Sequence, residues 1–241
     1  MRGLGFQRFI GHLCLLPLGF LIILLMRFRG RYKLKHHREL RRRFKEVAAS
    51  GDPILICPNH LTLIDSVILL WAFGSIPWYL FHYRGFAWNI PAVENVKTKL
   101  SWRIITYISK CVLIDRLGGA EHRNQIFSII RQCLRRGDIF TIFPEGTRSR
   151  SGSVQVDDVA YGVGRIIQGV PGTKVLCVYM RGDQQDAYSA FPKKGERFDI
   201  SLEVITPSSA NKGLRAVRDY SRQVIEKLKE MEDRYYSRIG D

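Results

Sequence analysis

From the amino terminus onward, uncharged apolar runs alternate with amphipathic stretches, and their spacing predicts the elements. Residues 13–26 (LCLLPLGFLIILLM) carry no charge. As a helix they would rise about 21 Å at about 1.5 Å per residue, short of the roughly 30 Å of bilayer hydrocarbon. No small-residue cleavage site follows; Arg27, Arg29, Arg31, Lys33 and Lys35 come next. A retained anchor is expected, dipping into one leaflet or crossing under strain with Phe9 and Ile10 included, its basic flank cytoplasmic and attractive to anionic lipid. Pro17 and Gly19 interrupt the run, and a buried core helix is the competing reading.

Beyond it, residues 31–50 (RYKLKHHRELRRRFKEVAAS) read as a basic helix with Leu34, Leu40, Phe44 and Val47 as its few apolar positions, stopped by Gly51-Asp52-Pro53. Short apolar runs bounded by turn residues then alternate with helical patterns. The runs are 54–57 (ILIC), 76–83 (IPWYLFHY), 111–115 (CVLID), 139–143 (IFTIF), 174–180 (KVLCVYM) and 198–206 (FDISLEVIT). Helices are expected at about 63–73, 121–136, around 158–169, and from about 214 to the end. Residues 84–101 show no clear period and read as a substrate-facing loop. Strands alternating with helices predict an α/β fold: a single domain with a mixed, largely parallel sheet covered by helices, plus an N-terminal membrane-associated helical segment. The expected division is residues 1–50 as anchor and basic helix, and 51–241 as the catalytic domain.

Composition narrows the class. At 241 residues, 46% hydrophobic and 25% charged, the chain can bury a sizeable core and is neither disordered nor fibrous. A formal charge of +16 calls for an anionic partner: nucleic acid, membrane surface or phosphorylated small molecule. The five cysteines are scattered among apolar residues without a C-x-x-C pair, so they are expected as reduced, small core hydrophobes, with no disulfide framework or zinc site. His36-His37, a lone pair in a basic stretch, is expected to be solvated or lipid-facing; no metal and no cofactor is expected.

The chemistry collects where apolar runs end. CPNHLTLID (57–65) joins a strand to a helix, with His60 in the turn and Asp65 in the helix's first turn. Five residues apart, the two do not share a helix face, but a histidine in the entry turn can fold back onto the carboxylate. That contact would fix the imidazole tautomer and leave the other nitrogen outward as a base. An ordinary helix cap by Asp65 or Thr62 is the plain alternative. IFTIFPEGTRSRSG (139–152) runs a buried strand into Glu145, Gly146, Thr147 and Arg148: a glycine permitting close backbone approach, a hydroxyl, and a planar guanidinium suited to phosphate. CVLIDR places Arg116 at the end of a third apolar run. Polar groups at one rim of an α/β sheet make a composite site.

With these residues in view, NHLTLID resembles the NHxxxxD block of the glycerolipid acyltransferases typified by 1-acylglycerol-3-phosphate acyltransferase. FPEGTRS matches that family's third block, and LIDR resembles the end of its second. The resemblance implies transfer of a fatty acyl group from acyl-CoA or acyl carrier protein to the hydroxyl of a lysophospholipid, foremost 1-acylglycerol-3-phosphate. It implies His60 as base and Asp65 as its orienting acid, with Arg116, Glu145, Gly146, Thr147 and Arg148 binding the acceptor. The partners implied are the bilayer, the thioester donor, and a phosphate-bearing lipid acceptor. Lys110 stands near the place where the second block usually opens with glycine, Leu113 replaces an aromatic residue, and residues 175–180 lack the fourth block's proline. Those departures leave open another lipid acceptor of the same family.

Two readings from other classes stand against this one. The basic run 27–45 suggests nucleic-acid binding, yet Phe28, Tyr32 and Phe44 are too sparse for a stacking platform, and no nucleic acid is expected. Cys57 with His60 suggests a cysteine hydrolase, although catalytic cysteine and histidine usually meet from distant parts of a chain.

Overall fold

The computed structural model describes residues 2–97, 99–157 and 159–240. Six strands form one sheet: β1 (Lys33–Leu34), β2 (Ile54–Pro58), β3 (Trp88–Asn89), β4 (Phe140–Thr141), β5 (Lys174–Gly182) and β6 (Arg197–Ile205), in the order β1-β6-β5-β2-β4-β3. Only β5 and β6 run antiparallel; the other neighbours are parallel. The expected α/β domain with a mixed, largely parallel sheet is the fold observed.

Alternation along the central strands sorts the core into two layers. Leu55, Cys57, Val175, Cys177 and Tyr179 face one way, against helices α7 (Ala120–Arg135), α8 (Gly162–Gly169) and α9 (Gly213–Gly240). Ile54, Ile56, Leu176, Val178 and Met180 face the other way, toward α2 (His37–Ala48) and α3 (Asp65–Phe73). Strands covered on both sides need apolar residues at every position, which is why ILIC and KVLCVYM are unbroken runs. Helix α2 buries Leu40 and Phe44, and Phe44 stacks on Phe73 of α3 with ring centroids 4.4 Å apart.

Several elements depart from the sequence reading for identifiable reasons. Residues 31–36 are not helical: β1 adds to the sheet edge, and positive φ at Arg31 (56°) and His36 (48°) breaks any helix there. Residues 76–81 form a helix, α4 (Ile76–Phe81), instead of a strand; Ser75 accepts the Trp78 amide at 3.4 Å and Pro77 sits in the first turn. CVLID is an edge segment held by isolated bridges at Cys111 and Ile114, because Pro91 in the facing segment lacks an N–H for a continuous ladder. The stretch 84–101, expected as a loop, contains β3, the turn of helix α5 (Val93–Val96) and the start of α6 (Leu100–Ile108).

The amino-terminal helix α1 (Arg2–Leu24) continues through a π-turn, Leu25–Arg29, so it is longer than the charge-free run and carries Pro17 within it. Together, Gly3–Arg29 are long and apolar enough to cross a membrane. One face lies along the domain. Gln7 donates to the Tyr107 and Cys111 carbonyls at 2.9 Å each, and Leu15 and Met26 are buried. At Gly11 an added Cβ would sit 2.5 Å from the Ile108 carbonyl oxygen, so only glycine permits this approach. The opposite stripe, Phe6, Phe9, Leu13, Leu16 and Phe20, is exposed at helical spacing.

Candidate active site

The site sits at the carboxyl ends of β2 and β4. Past β2 the chain stays tied to the sheet: the Asn59 amide donates to Val178, and its side chain bonds both ways with Met180, at 3.1 and 2.8 Å. That anchorage fixes where the next residue, His60, begins.

Residues 61–64 then wrap around Asp65, the first residue of α3. Its Oδ2 accepts the amides of Leu61 (2.7 Å) and Thr62 (2.8 Å) and faces His60 Nδ1 at 3.0 Å, while Oδ1 accepts the Thr62 hydroxyl. With donors on both oxygens, the carboxylate acts as acceptor only. The proton between it and the imidazole therefore belongs on Nδ1, and Nε2 presents a lone pair. Asp65 is 1% exposed and His60 18%, so the acid is sealed and the base is reachable. The ring stacks on Phe143 at 3.8 Å between centroids.

Glu145 is brought to the dyad from β4's loop. It accepts the His60 amide at 3.0 Å, and its other oxygen has no partner among the described residues. Burial pushes its carboxyl up to about 7; the His60 amide pulls the other way, and the charges of Glu232 and Asp65 add to the rise. Since the folded value lies above the ordinary carboxyl range, this group's ionisation destabilises the fold, by an amount that grows with pH between about 4 and about 7 and is level beyond. Glu145→Gln, which keeps an oxygen for that amide, is expected to gain roughly 1–3 kcal/mol relative to the parent between about pH 5 and about pH 8. Urea midpoints at the two pH values check this; a constant difference would sink it.

Arg116 donates to the Gly146 carbonyl at 2.8 Å and so ties the 111–116 segment to the FPEGTR loop. Gly146 has φ +68°, and a Cβ there would stand 3.3 Å from that of Ala160, so the turn requires glycine. Thr147 is exposed. Arg148 lies over the Tyr188 ring, 5.4 Å from its centroid, and reaches the Ser189 carbonyl at 3.4 Å. Segment 187–190 also pairs with residues 61–63, so this loop braces the dyad from below.

Lys110 has φ 53°, a left-handed backbone uncommon in a residue other than glycine. Here the ammonium, fully buried, donates to the carbonyls of Tyr83 and Phe86 and lies 3.7 Å from Asp138, which Arg8 of α1 also pairs at 3.0 Å. Burial pulls its pKa down to about 7 against the opposing pull of Asp138. This contact clips α1 to the domain.

A cavity of about 630 Å³ opens at the dyad, within the range of small-molecule sites. His60, Phe143, Arg116 and Gly146 border it on the polar side. Its remaining wall is largely apolar and comes from α1, α3 and α6, including Leu15, Ile22, Val67, Leu70, Trp102 and Ile105. Glu145, Thr147 and Arg148 do not border it. Sequence reasoning missed Phe143, which lies inside the quoted FPEGTR segment, and Asn59, which opens the quoted NHLTLID segment.

Cys57 is fully buried in the core, and burial pushes its thiol well up, so it cannot serve as a nucleophile beside His60. Among the described residues no three His, Cys, Asp or Glu side chains are grouped as metal ligands.

A carboxylate-held imidazole at the strand ends of an α/β domain, with its Nε2 facing a largely apolar cavity, is an arrangement able to accept a proton from a hydroxyl. Residues 37–181, more than half of the chain, match the family described as Acyltransferase, and the chain belongs to that family. Comparison with curated proteins finds no match.

Proposed function

We propose that this acyltransferase moves a fatty acyl group from a thioester, acyl-CoA or acyl carrier protein, to the hydroxyl of a lysophospholipid, foremost 1-acylglycerol-3-phosphate. The observation that carries the reading is the cavity that begins at His60 and Arg116 and continues between α1, α3 and α6 over apolar side chains. A fatty chain fits such a wall, and a phosphate fits the guanidinium at its rim.

In this reading His60 Nε2 takes the acceptor's hydroxyl proton as the oxygen attacks the thioester carbonyl, and Asp65 steadies the imidazolium that forms. Collapse of the tetrahedral adduct breaks the C–S bond, and the proton passes from Nε2 to the departing thiolate. A thioester is already activated, so base assistance and positioning are the enzyme's main tasks. Arg116 is placed to meet the acceptor's phosphate with the donors it does not spend on Gly146, whereas Arg148 would first have to leave Tyr188. Helix α1, with one face on the domain and the other bare, suits a protein seated on or in a membrane, and the basic residues after it suit its cytoplasmic face.

The deciding experiment is an acceptor screen with purified full-length protein in mixed micelles, using long-chain acyl-CoA and acyl carrier protein thioesters. Transfer to 1-acylglycerol-3-phosphate is expected to lead; transfer only to a different lipid alcohol would move the assignment within the family, and transfer to none would end it. Filling the cavity is expected to shorten the preferred chain. Val67→Trp should lower the ratio of kcat/KM for sixteen-carbon over ten-carbon thioesters by about tenfold or more, since each excluded methylene is worth about 1 kcal/mol or more.

A further inference from the structure

A second cleft, about 670 Å³, lies on the other flank of α1, between α2, α4 and the turn that follows α4. Its cationic lining comes from Arg8, Lys45 and Arg84, joined by His12 and His82, and among the described residues no carboxylate side chain lines it. Arg8 is committed to Asp138, but Lys45 and Arg84 form no ion pair among the described residues. The cleft is also aromatic. Trp78 stacks on His82 with centroids 5.1 Å apart and lies under the Lys45 ammonium at 5.5 Å, while His12 stacks on Tyr83 at 4.4 Å. His12 spends Nε2 on the Leu80 carbonyl and His82 spends Nδ1 on the Trp78 carbonyl, so each keeps its other ring nitrogen free.

Hydrocarbon lies directly beside these charges. Phe9 (66% exposed) and Phe81 (85% exposed) line the same cleft, and Phe9 belongs to the bare stripe of α1 that continues through Leu13, Leu16 and Phe20. A site for a free anion has no use for two exposed phenylalanines at its lip. Cations and half-polar rings set next to an apolar stripe are what a lipid headgroup meets at a membrane interface.

We propose that this cleft binds the phosphate headgroup of an anionic membrane phospholipid, with its acyl chains laid along Phe9, Phe81 and the outer stripe of α1. The site is separate from the His60 groove: α1 supplies different residues to each, and Lys45 and Arg84 border only this one. It holds a lipid that is not consumed and ties α2 and α4 to the bilayer at a defined place. The inference stands on the cleft alone and does not depend on which acceptor the enzyme acylates.

The test is calorimetric titration of the full-length chain in neutral detergent with dihexanoyl-phosphatidylglycerol, using dihexanoyl-phosphatidylcholine and inorganic phosphate as comparisons. Lys45→Gln/Arg84→Gln is expected to weaken phosphatidylglycerol binding by about tenfold or more, the worth of at least one charge-assisted hydrogen bond. Lys212→Gln/Arg215→Gln, which removes the same charge at an exposed place distant in sequence, is expected to leave it within about twofold. Equal weakening by both doubles would show only general attraction to a basic surface and would overturn the site. Loss of binding in Arg116→Gln instead of Lys45→Gln/Arg84→Gln would assign the lipid to the His60 groove, and inorganic phosphate binding as tightly as the lipid would make the ligand a free anion. Either result overturns the proposal without touching acyl transfer, which is assayed on the same preparations.

Discussion

Replacing His60 by alanine is expected to lower kcat for acyl transfer by about 10²–10⁴, the usual worth of a positioned general base, with KM for the thioester little changed. The imidazole makes its ring contacts with Asp65 and Phe143 and borders the cavity only at its polar side, so its loss removes the proposed proton acceptor and leaves the apolar wall intact. The fold should tolerate the change, because the His60 amide donates to the Glu145 carboxylate and the His60 carbonyl accepts the Ser149 amide, and both bonds survive truncation of the side chain. Steady-state rates with a long-chain thioester, beside a thermal unfolding curve, measure both halves. Activity equal to the parent would dispose of the base.

Asp65→Asn is expected to be as damaging to turnover, and to harm the fold as well. A single oxygen, Oδ2, serves His60 Nδ1 and the Leu61 and Thr62 amides together, and Oδ1 takes only the Thr62 hydroxyl, so an amide sets either its oxygen or its NH₂ against all three nitrogen donors at once. With the NH₂ at the Oδ2 place, the proton moves to Nε2, the lone pair no longer points at the acceptor and a rate loss on the order of 10²–10⁴ follows, while the Leu61 and Thr62 amides are left unpaired at a cost of about 1–3 kcal/mol. With the oxygen at the Oδ2 place and the Thr62 hydroxyl turned to accept the NH₂, the tautomer is kept, but a neutral amide no longer steadies an imidazolium and its bonds to the turn lose their charge assistance. The signature is therefore a pair of losses, in kcat and in the unfolding midpoint, where His60→Ala shows only the first. A double variant should be scarcely slower than either single one, because base and orienting acid act as a unit. Additive losses would mean that Asp65 works apart from His60.

The pairing of His60 with Asp65 was readable because a strand-to-helix turn has only a few ways to carry a chain round, and a carboxylate at the helix start attracts the donors of that turn. The central strands were readable for a related reason: burial on both faces leaves no polar position to confuse the pattern. The edges were harder. IPWYLFHY is apolar around most of its circumference, so its period did not distinguish strand from helix, and Ser75-Ile76-Pro77 was the one local signal that did. CVLID has strand composition yet faces Pro91, a restriction imposed by a segment some twenty residues earlier in the chain. Where Arg148 points depends on Tyr188, forty residues away, and no motif could carry that. The breaks at Arg31 and His36 were hidden because neither residue type announces a positive φ.

The lengthwise seat of α1, secured at Gly11 and by the Arg8–Asp138–Lys110 clip, makes the leading segment a roof beam rather than a tether. Trimming the chain from that end would unroof the groove over His60 instead of releasing a soluble catalyst. A water-compatible version has to be sought by repainting the bare stripe from Phe6 to Phe20 with polar side chains while leaving Gln7, Gly11 and Leu15 untouched.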